Sequence, residues 1–390
     1  MNIILKILFL LTLLELFLGG GGRIFEIGSA TLRIVLFFIN ILVILTLYSY
    51  QGRIPKFVIL LSISSIIILC IHGIIGWWNG GTFALISEDI KPLSYFLSVI
   101  FFSYYINSKK RVLLVLSLLK KTSIIIAITY LVIQILFHFD KLDFLSFYEF
   151  ANNQIASSEF FFRGTEGLFF YKGFLYMTIG LIAWINSENS KFKVIAIIVI
   201  SIAMILSGTR GFILMFGILY ALFYGLPMLL KLNIKLLLFA IILVLSSLYF
   251  FKNVDIGNKN LSDSVRIEQI KQVVDQIGPV SLFIGHGFGN GVPIRIVHME
   301  IGYLEVFHKQ GLVGLLFWVL FFIVLYNAYI KEKNDLTIRK VFFLSIIFVF
   351  LISLTNPFFN NPIGISLFVI SYSVFMTLNK IEENKKKLPL

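Results

Sequence analysis

The chain has 390 residues, of which 58% are hydrophobic and only 14% are charged, and 33 Lys or Arg against 20 Asp or Glu give a formal net charge of +13. Soluble domains average about 25% charged residues, so the composition excludes an ordinary soluble protein. The basic residues are scattered over short connections and form no basic patch, which disfavours a nucleic-acid-binding surface.

Apolar runs of about 20 residues recur along the whole chain, which is the length needed to cross a hydrocarbon core about 30 Å thick. Backbone groups in lipid must pair internally, so these runs predict helices. We therefore expect an all-α fold, a polytopic transmembrane bundle that forms a single integral membrane domain over residues 1–390. The pattern predicts about twelve spans, at residues 2–19, 31–48, 57–77, 92–106, 115–137, 167–186, 194–208, 211–230, 235–251, 311–330, 340–356 and 361–378.

The first of these spans is predicted to be retained and not cleaved as a signal peptide. Its apolar stretch is longer than the apolar region of a signal peptide, and the glycines and Arg23 that follow do not resemble a cleavage site. The single cysteine, Cys70, lies in an apolar run, so the sequence predicts neither a disulfide framework nor a zinc site.

Lys and Arg concentrate in alternate connections, as the positive-inside rule requires for cytoplasmic loops. This distribution predicts that both termini are cytoplasmic, and it accounts for the basic charge as an orientation signal that also attracts anionic lipid headgroups. Two long connections are then expected on the outer face, at residues 138–166 and 252–310. Apolar residues recur at intervals of three and four over residues 262–277, which indicates a short amphipathic helix lying on the membrane surface or over a cavity.

Candidate functional residues cluster at outer ends of the predicted spans. Residues 207–211 read SGTRG and lie between two apolar runs, which places Arg210 at the tip of a tight helical hairpin. A guanidinium fixed there can hold a phosphate by two parallel hydrogen bonds. The structural alternative is an arginine whose charged end simply reaches the interface.

Two further arginines have a similar setting. Arg163 opens the segment RGTEGLFF at the outer start of the sixth span, and Arg266 lies in the long second outer connection. Arg266 also has a purely structural interpretation, an ion pair with Asp263 or Glu268.

The segment GHGFGNG at residues 285–291 alternates glycine with other residues, which is typical of a backbone that approaches a ligand or another segment closely. It includes Gly287 and Gly289, and an anion-binding nest of N–H groups is one interpretation. His298 follows shortly before a span and is a candidate general base for a sugar hydroxyl, while a satisfied interfacial histidine is the alternative. Tyr303 and Glu305 lie one to two helical turns further on.

Taken in order, five segments resemble the O-antigen ligase and polymerase family: RGTEGLF from Arg163, SGTRG around Arg210, SVR ending at Arg266, LFIGHGFG at residues 282–289, and His298 followed by GLVGLLF. The resemblance covers roughly residues 160–320, and the order and spacing are more specific than any single segment. It implies a GT-C-like helical fold and a metal-independent, polytopic inner-membrane glycosyltransferase. Undecaprenyl-diphosphate-linked oligosaccharides are the implied donor and acceptor.

Through that resemblance, Arg210 and Arg266 are expected to clamp the donor diphosphate, and His298 to deprotonate the acceptor hydroxyl. Arg163 is expected to hold the second lipid diphosphate, and Glu305 to orient His298. Aromatic rings around Phe288 and Tyr303 are expected to stack on sugar faces. No cofactor is expected, and membrane lipids and a chain-length regulator protein are the other candidate partners.

Within the family, the Ile-, Phe-, Lys- and Asn-rich composition and the compact outer loops favour a polymerase, which joins lipid-linked repeat units. A ligase that transfers the finished polymer to lipid A-core stays open, because a single sequence does not reveal the acceptor. A flippase for the same lipid-linked sugars is a second alternative. It is disfavoured because no internal repeat is visible and the candidate residues crowd the outer side of the second half of the chain.

Overall fold

The computed structural model describes residues 3–24, 26–27, 30–51, 54–155, 159–162, 167–188, 191–225 and 259–387. Contacts divide the chain into two compact units, one formed by Met1–Leu118 with Asp263–Leu390 and the other by Leu119–Ser262.

The first unit contains most of the long helices. From the N-terminal part of the chain it takes helices α1 (Ile3–Leu18), α2 (Leu32–Gln51), α3 (Lys56–Trp78), α4 (Phe83–Leu93), a 3₁₀ turn (Ser94–Ser98) and α5 (Val99–Tyr105), with a short hairpin of β1 (Glu26–Ile27) and β2 (Ala30–Thr31) between α1 and α2. From the C-terminal part it takes α11 (Lys259–Asp275) from Asp263 onward, α12 (Pro279–Ile284), α13 (Gly302–Ile330), α14 (Leu336–Ile352) and α15 (Pro362–Lys387).

The centre of the first unit is α15. Its residues Ile363, Ile365, Leu367 and Phe368 are at most 1% exposed. It packs against α4, the 3₁₀ turn, α5, α13 and α14. The apolar part of α15 is almost wholly buried within the unit, as expected of a helix that packs between other helices.

The second unit contains the C-terminal part of α6 (Lys109–His138), α7 (Phe144–Phe150), β3 (Phe160–Phe162), β4 (Phe169–Tyr171), α8 (Phe174–Ile185), α9 (Lys191–Leu206) and α10 (Arg210–Tyr220), which continues as a π-turn over Ala221–Gly225. The two strands form an antiparallel hairpin in which Phe161 faces Phe170. Helix α8 is buried along nearly its whole length and packs on α9.

Five of the described helices are long and apolar enough to cross a membrane, namely α2, α3, α6, α13 and α15. A polytopic helical membrane protein is thereby confirmed. Every predicted span within the described residues contains a helix, although the one at 92–106 is broken into the end of α4, a 3₁₀ turn and α5. The predicted span at 235–251 lies outside the described residues.

The predicted surface helix at 262–277 corresponds to α11, and α12 follows it. On α11 the side chains of Ile267, Ile270 and Val274 are 67%, 45% and 57% exposed, whereas Gln269 is fully buried. The apolar Val273 on the same helix is 1% exposed, and the charged Lys271 is exposed among the apolar residues, so the helix itself is confirmed and its placement on the membrane surface stays a prediction.

Candidate functional site

The glycine-rich segment after α12 packs tightly against α3. Gly285, Gly287 and Gly289 all have positive φ, at 71°, 80° and 79°, a region that other residues adopt at a cost. A Cβ on Gly287 would lie only 2.1 Å from the backbone nitrogen of Gly76 on α3. The close approach expected of this segment is therefore made to the protein's own helix.

The N–H groups of these glycines bind acceptors within the protein. The Gly287 N–H donates to the carbonyl oxygen of Lys309 at 2.9 Å, and the Gly289 N–H donates to Oδ2 of Asp89 at 2.8 Å. An anion nest needs N–H groups that point at the ligand, so these contacts favour an architectural role for Gly287 and Gly289.

A buried ion cluster lies beneath this segment. Nζ of Lys309, a side chain only 3% exposed, is 2.7 Å from Oδ1 of Asp89 on α4 and 2.8 Å from Oε1 of Glu305 on α13. The same ammonium donates to the carbonyl oxygen of Val297. A buried lysine is stable only when it is paired and hydrogen-bonded, and here all three donors are used.

Opposing effects act on the pKa of the Asp89 carboxyl. Burial, the largest of them, raises its pKa, and the nearby Lys309 ammonium lowers it, with a raised pKa as the net result. The ligand atoms of Asp89, His298 and Glu305 all lie within 4.8 Å of one another, a grouping that could hold a metal ion. Because the Lys309 ammonium already bonds both carboxylates, a cation there would have to displace it.

His298 lies at the exposed side of the cluster. Its side chain is 50% exposed, and Nδ1 lies 3.4 Å from Oε1 of the buried Glu305. Oε2 of Glu305 accepts a hydrogen bond of 2.9 Å from Nδ2 of Asn360. An imidazole whose Nδ1 faces a carboxylate has its tautomer fixed, with Nε2 as the basic atom. The distance of 3.4 Å is long, which is common for catalytic hydrogen bonds before substrate binds.

Arg266 is held by the loop that carries His298. Nε of Arg266 lies 3.1 Å from Oε2 of Glu300, and Nη2 of Arg295 lies 3.0 Å from Oε1 of the same carboxylate. The N–H of Glu300 in turn donates to Oε1 of Gln269 on α11. Glu300 is thus one ion-pair partner of Arg266.

The structural alternative for Arg266 named an ion pair with Asp263 or Glu268, and the side chain of Asp263 lies outside the part of the chain that the structure describes. The structure pairs Arg266 with Glu300 because the loop folds back over α11, an arrangement that neighbouring positions do not reveal. Two arginines thereby share one carboxylate.

Arg210 belongs to the second unit, where it is the first residue of α10. The turn before it contains Gly208, at φ 63°, and a hydrogen bond of 2.6 Å between the hydroxyls of Ser207 and Thr209. The sharp helical turn predicted there is present. Arg163 lies outside the described residues.

The side chain of Tyr303 is engaged at both ends of its ring. Its hydroxyl donates to the carbonyl oxygen of Phe350 at 2.8 Å, and its ring stacks on Phe359 with centroids 4.8 Å apart. Phe288 is only 1% exposed and lies beside His72. Both aromatic residues therefore serve as packing elements around the site.

Six of the predicted site residues lie in the first unit, namely Arg266, Gly287, Gly289, His298, Tyr303 and Glu305. Sequence reasoning missed Asp89, Lys309 and Asn360. A signal for Lys309 was available, since it follows Glu305 by four residues at the start of an apolar helix, where a charged pair is costly and therefore informative. Asp89 had no comparable signal.

Comparison with known proteins gives one informative relative. A curated protein described as O-antigen polymerase, from Shigella flexneri, is 30% identical over 378 residues, which cover 94% of this chain and 93% of that protein. No family model and no solved structure matches the chain. Identity at this level along nearly the full length of both chains shows that this chain belongs to the O-antigen polymerase family.

Proposed function

We propose that this chain is a polymerase that joins undecaprenyl-diphosphate-linked repeat units of a surface polysaccharide at the periplasmic face of the bacterial inner membrane. The observation that carries the proposal is the near full-length similarity to the O-antigen polymerase of Shigella flexneri. A bundle with five membrane-length helices fits a substrate whose isoprenoid tail must stay in lipid. The proposed topology is a GT-C-like bundle of about twelve spans, with both termini cytoplasmic and outer connections at residues 138–166 and 252–310.

His298 is the proposed general base. Its exposed imidazole faces Glu305 through Nδ1, so Nε2 accepts the proton of the acceptor hydroxyl. The acceptor oxygen then bonds to the anomeric carbon of the donor sugar, and the bond from that carbon to the diphosphate oxygen breaks. The lipid diphosphate leaves, carrying the electron pair of the broken bond.

Arginines are the proposed partners of the diphosphate. Arg210 begins a helix after a tight turn, and Arg266 lies in a surface where two guanidiniums share one carboxylate. Guanidinium groups are permanently charged and bind phosphate oxygens bidentately, so they stabilise the leaving diphosphate without a metal. Arg163 is proposed to hold the diphosphate of the second lipid-linked unit.

The remaining predicted contacts take supporting roles. Glu305 orients His298, and Gly287 and Gly289 shape the segment that carries the ion cluster beneath it. Tyr303 borders the site and packs on Phe359, so its contribution to sugar binding is limited to its remaining edge.

Deletion of the gene tests the proposal, with the lipopolysaccharide of the deletion strain examined on a gel. We expect lipid A-core carrying a single repeat unit and no ladder, restored to a ladder by the wild-type gene. Bare core with accumulated lipid-linked polymer indicates a ligase instead. Bare core with accumulated lipid-linked single units indicates a flippase. Either of these results overturns the polymerase assignment.

A further inference from the structure

We propose that Lys309 is a positioning residue for His298, acting through a buried Asp89–Lys309–Glu305 triad that links α4 to the candidate base. The inference rests on the proposed function, in which His298 accepts the proton of the acceptor hydroxyl. Lys309 itself is buried and does not reach the substrate.

Lys309 fixes His298 from two directions. Its ammonium donates to Oε1 of Glu305, the same oxygen that faces Nδ1 of His298. It also donates to the carbonyl oxygen of Val297, the residue directly before His298. One side chain therefore holds both the backbone that carries the imidazole and the carboxylate that orients it.

Asp89 anchors the ammonium from another part of the chain. Its Oδ1 accepts from Lys309 Nζ at 2.7 Å, and its Oδ2 accepts from the Gly289 N–H at 2.8 Å. Asp89 and Lys309 are 220 positions apart in the sequence, and both side chains are at most 5% exposed. The pair thus joins α4, the glycine-rich segment and α13 in one contact.

The triad also sets the charge beside His298. Two carboxylates and one ammonium leave one net negative charge. The second oxygen of each carboxylate also accepts a hydrogen bond, Glu305 Oε2 from Asn360 and Asp89 Oδ2 from the Gly289 N–H. Removal of the ammonium takes away the cation bonded to the Glu305 oxygen that faces His298, so the surroundings of the imidazole become more negative, which favours its protonated form. The elements around His298 carry other charged or titratable groups, among them Glu305, Lys309 and His308 on α13, Asp89 on α4, Arg266 on α11, and Arg295 and Glu300 in the loop.

The test measures polymerisation rate against pH with the full-length protein in proteoliposomes. The substrate is the lipid-linked repeat unit extracted from a strain that lacks this gene, and rates are normalised to the amount of protein. For Lys309→Met we expect a rate at least about tenfold lower, as for lost supports of catalytic groups. We also expect the acidic midpoint of the profile to move up by about one pH unit, because the neutral imidazole needed for catalysis forms only at higher pH.

A double variant separates charge from geometry. Asp89→Asn with Lys309→Met keeps the net charge of the cluster, so its acidic midpoint is expected to return to that of the wild type while its rate stays low. It also leaves a single buried carboxylate and is the better tolerated change if the single variant folds poorly. Lys331→Met, at the other end of α13 in an exposed ion pair with Glu383, is the matched control and is expected to keep the wild-type rate.

Two results overturn the inference. One is a wild-type rate and acidic midpoint in Lys309→Met, and the other is a wild-type rate in the double variant. The proposed role of His298 as the general base is tested separately, by the rate of His298→Ala. A wild-type rate in that variant removes His298 as the base, whereas an inactive His298→Ala with an unaffected Lys309→Met removes only the role of Lys309.

Discussion

The carboxylate of Glu305 lies 3.4 Å from Nδ1 of His298 while being itself only 6% exposed. A half-exposed imidazole is thus supported by a buried acid, which is the arrangement expected for a base that must keep one tautomer and one orientation. Asn360 binds the other oxygen of this carboxylate, so the acid has little freedom to turn away.

Replacement of Glu305 by glutamine tests this relationship. The amide keeps the size of the side chain and loses its charge, so it binds both Lys309 and the imidazole more weakly. We expect polymerisation to fall by about 10- to 100-fold, the same range as when a carboxylate that orients a metal-binding histidine is lost. The measurement is the length distribution of the polymer on a gel, with membrane abundance determined by immunoblot.

The matched control for this change is Glu332→Gln, which removes a carboxylate paired with Lys386 far along the chain from the site. It is expected to leave the ladder unchanged. A normal ladder in Glu305→Gln at normal abundance would show that the contact with His298 has no part in the reaction.

The sequence predicted the helices well because apolar runs report directly on lipid burial. The spans at 31–48, 57–77 and 115–137 correspond to α2, α3 and α6. The association of Glu305 with His298 was also predictable, because seven residues separate them. The contact of Asp89 with Lys309 was not predictable from the sequence. Hydropathy identifies a membrane span, but it does not indicate which buried polar residues on two different helices contact each other.

Arg266→Lys tests the guanidinium of the loop surface. Lysine keeps the charge but presents a single ammonium, which cannot bind two phosphate oxygens in parallel. The loss of one charge-assisted hydrogen bond, about 1.5 kcal/mol, corresponds to roughly a tenfold lower rate. The measurement is the rate of chain growth with extracted lipid-linked repeat units.

Arg295→Ala is the comparison for Arg266, because Arg295 contacts the same Glu300 carboxylate from a more exposed position. Exposed ion pairs contribute about 0–1 kcal/mol, so a smaller effect is expected. Equal losses in the two variants would mean that Arg266 matters only through Glu300.

Gly287→Ala addresses the close packing of the glycine-rich segment. A non-glycine residue at positive φ costs about 1–2 kcal/mol, and the new Cβ would in addition lie 2.1 Å from the backbone of Gly76. We expect a lower temperature of heat-induced aggregation in detergent. Gly217→Ala is the matched control, since its Cβ meets no atom of the described residues within 4 Å, and a helical alanine there is expected to be neutral or stabilising. Equal behaviour of the two variants would contradict the packing described for Gly287.

Arg210→Lys tests the second proposed contact with the diphosphate. Arg210 starts α10 directly after the turn at Gly208, and lysine there keeps the positive charge but not the planar guanidinium. A parallel pair of hydrogen bonds becomes a single one, and we expect roughly a tenfold lower rate with shorter polymer. Thr209→Ser is the matched control, because serine retains the hydroxyl that bonds Ser207, and full activity is expected. Full polymer length in Arg210→Lys would exclude bidentate binding by this guanidinium, since an arginine that only reaches the interface is replaceable by lysine.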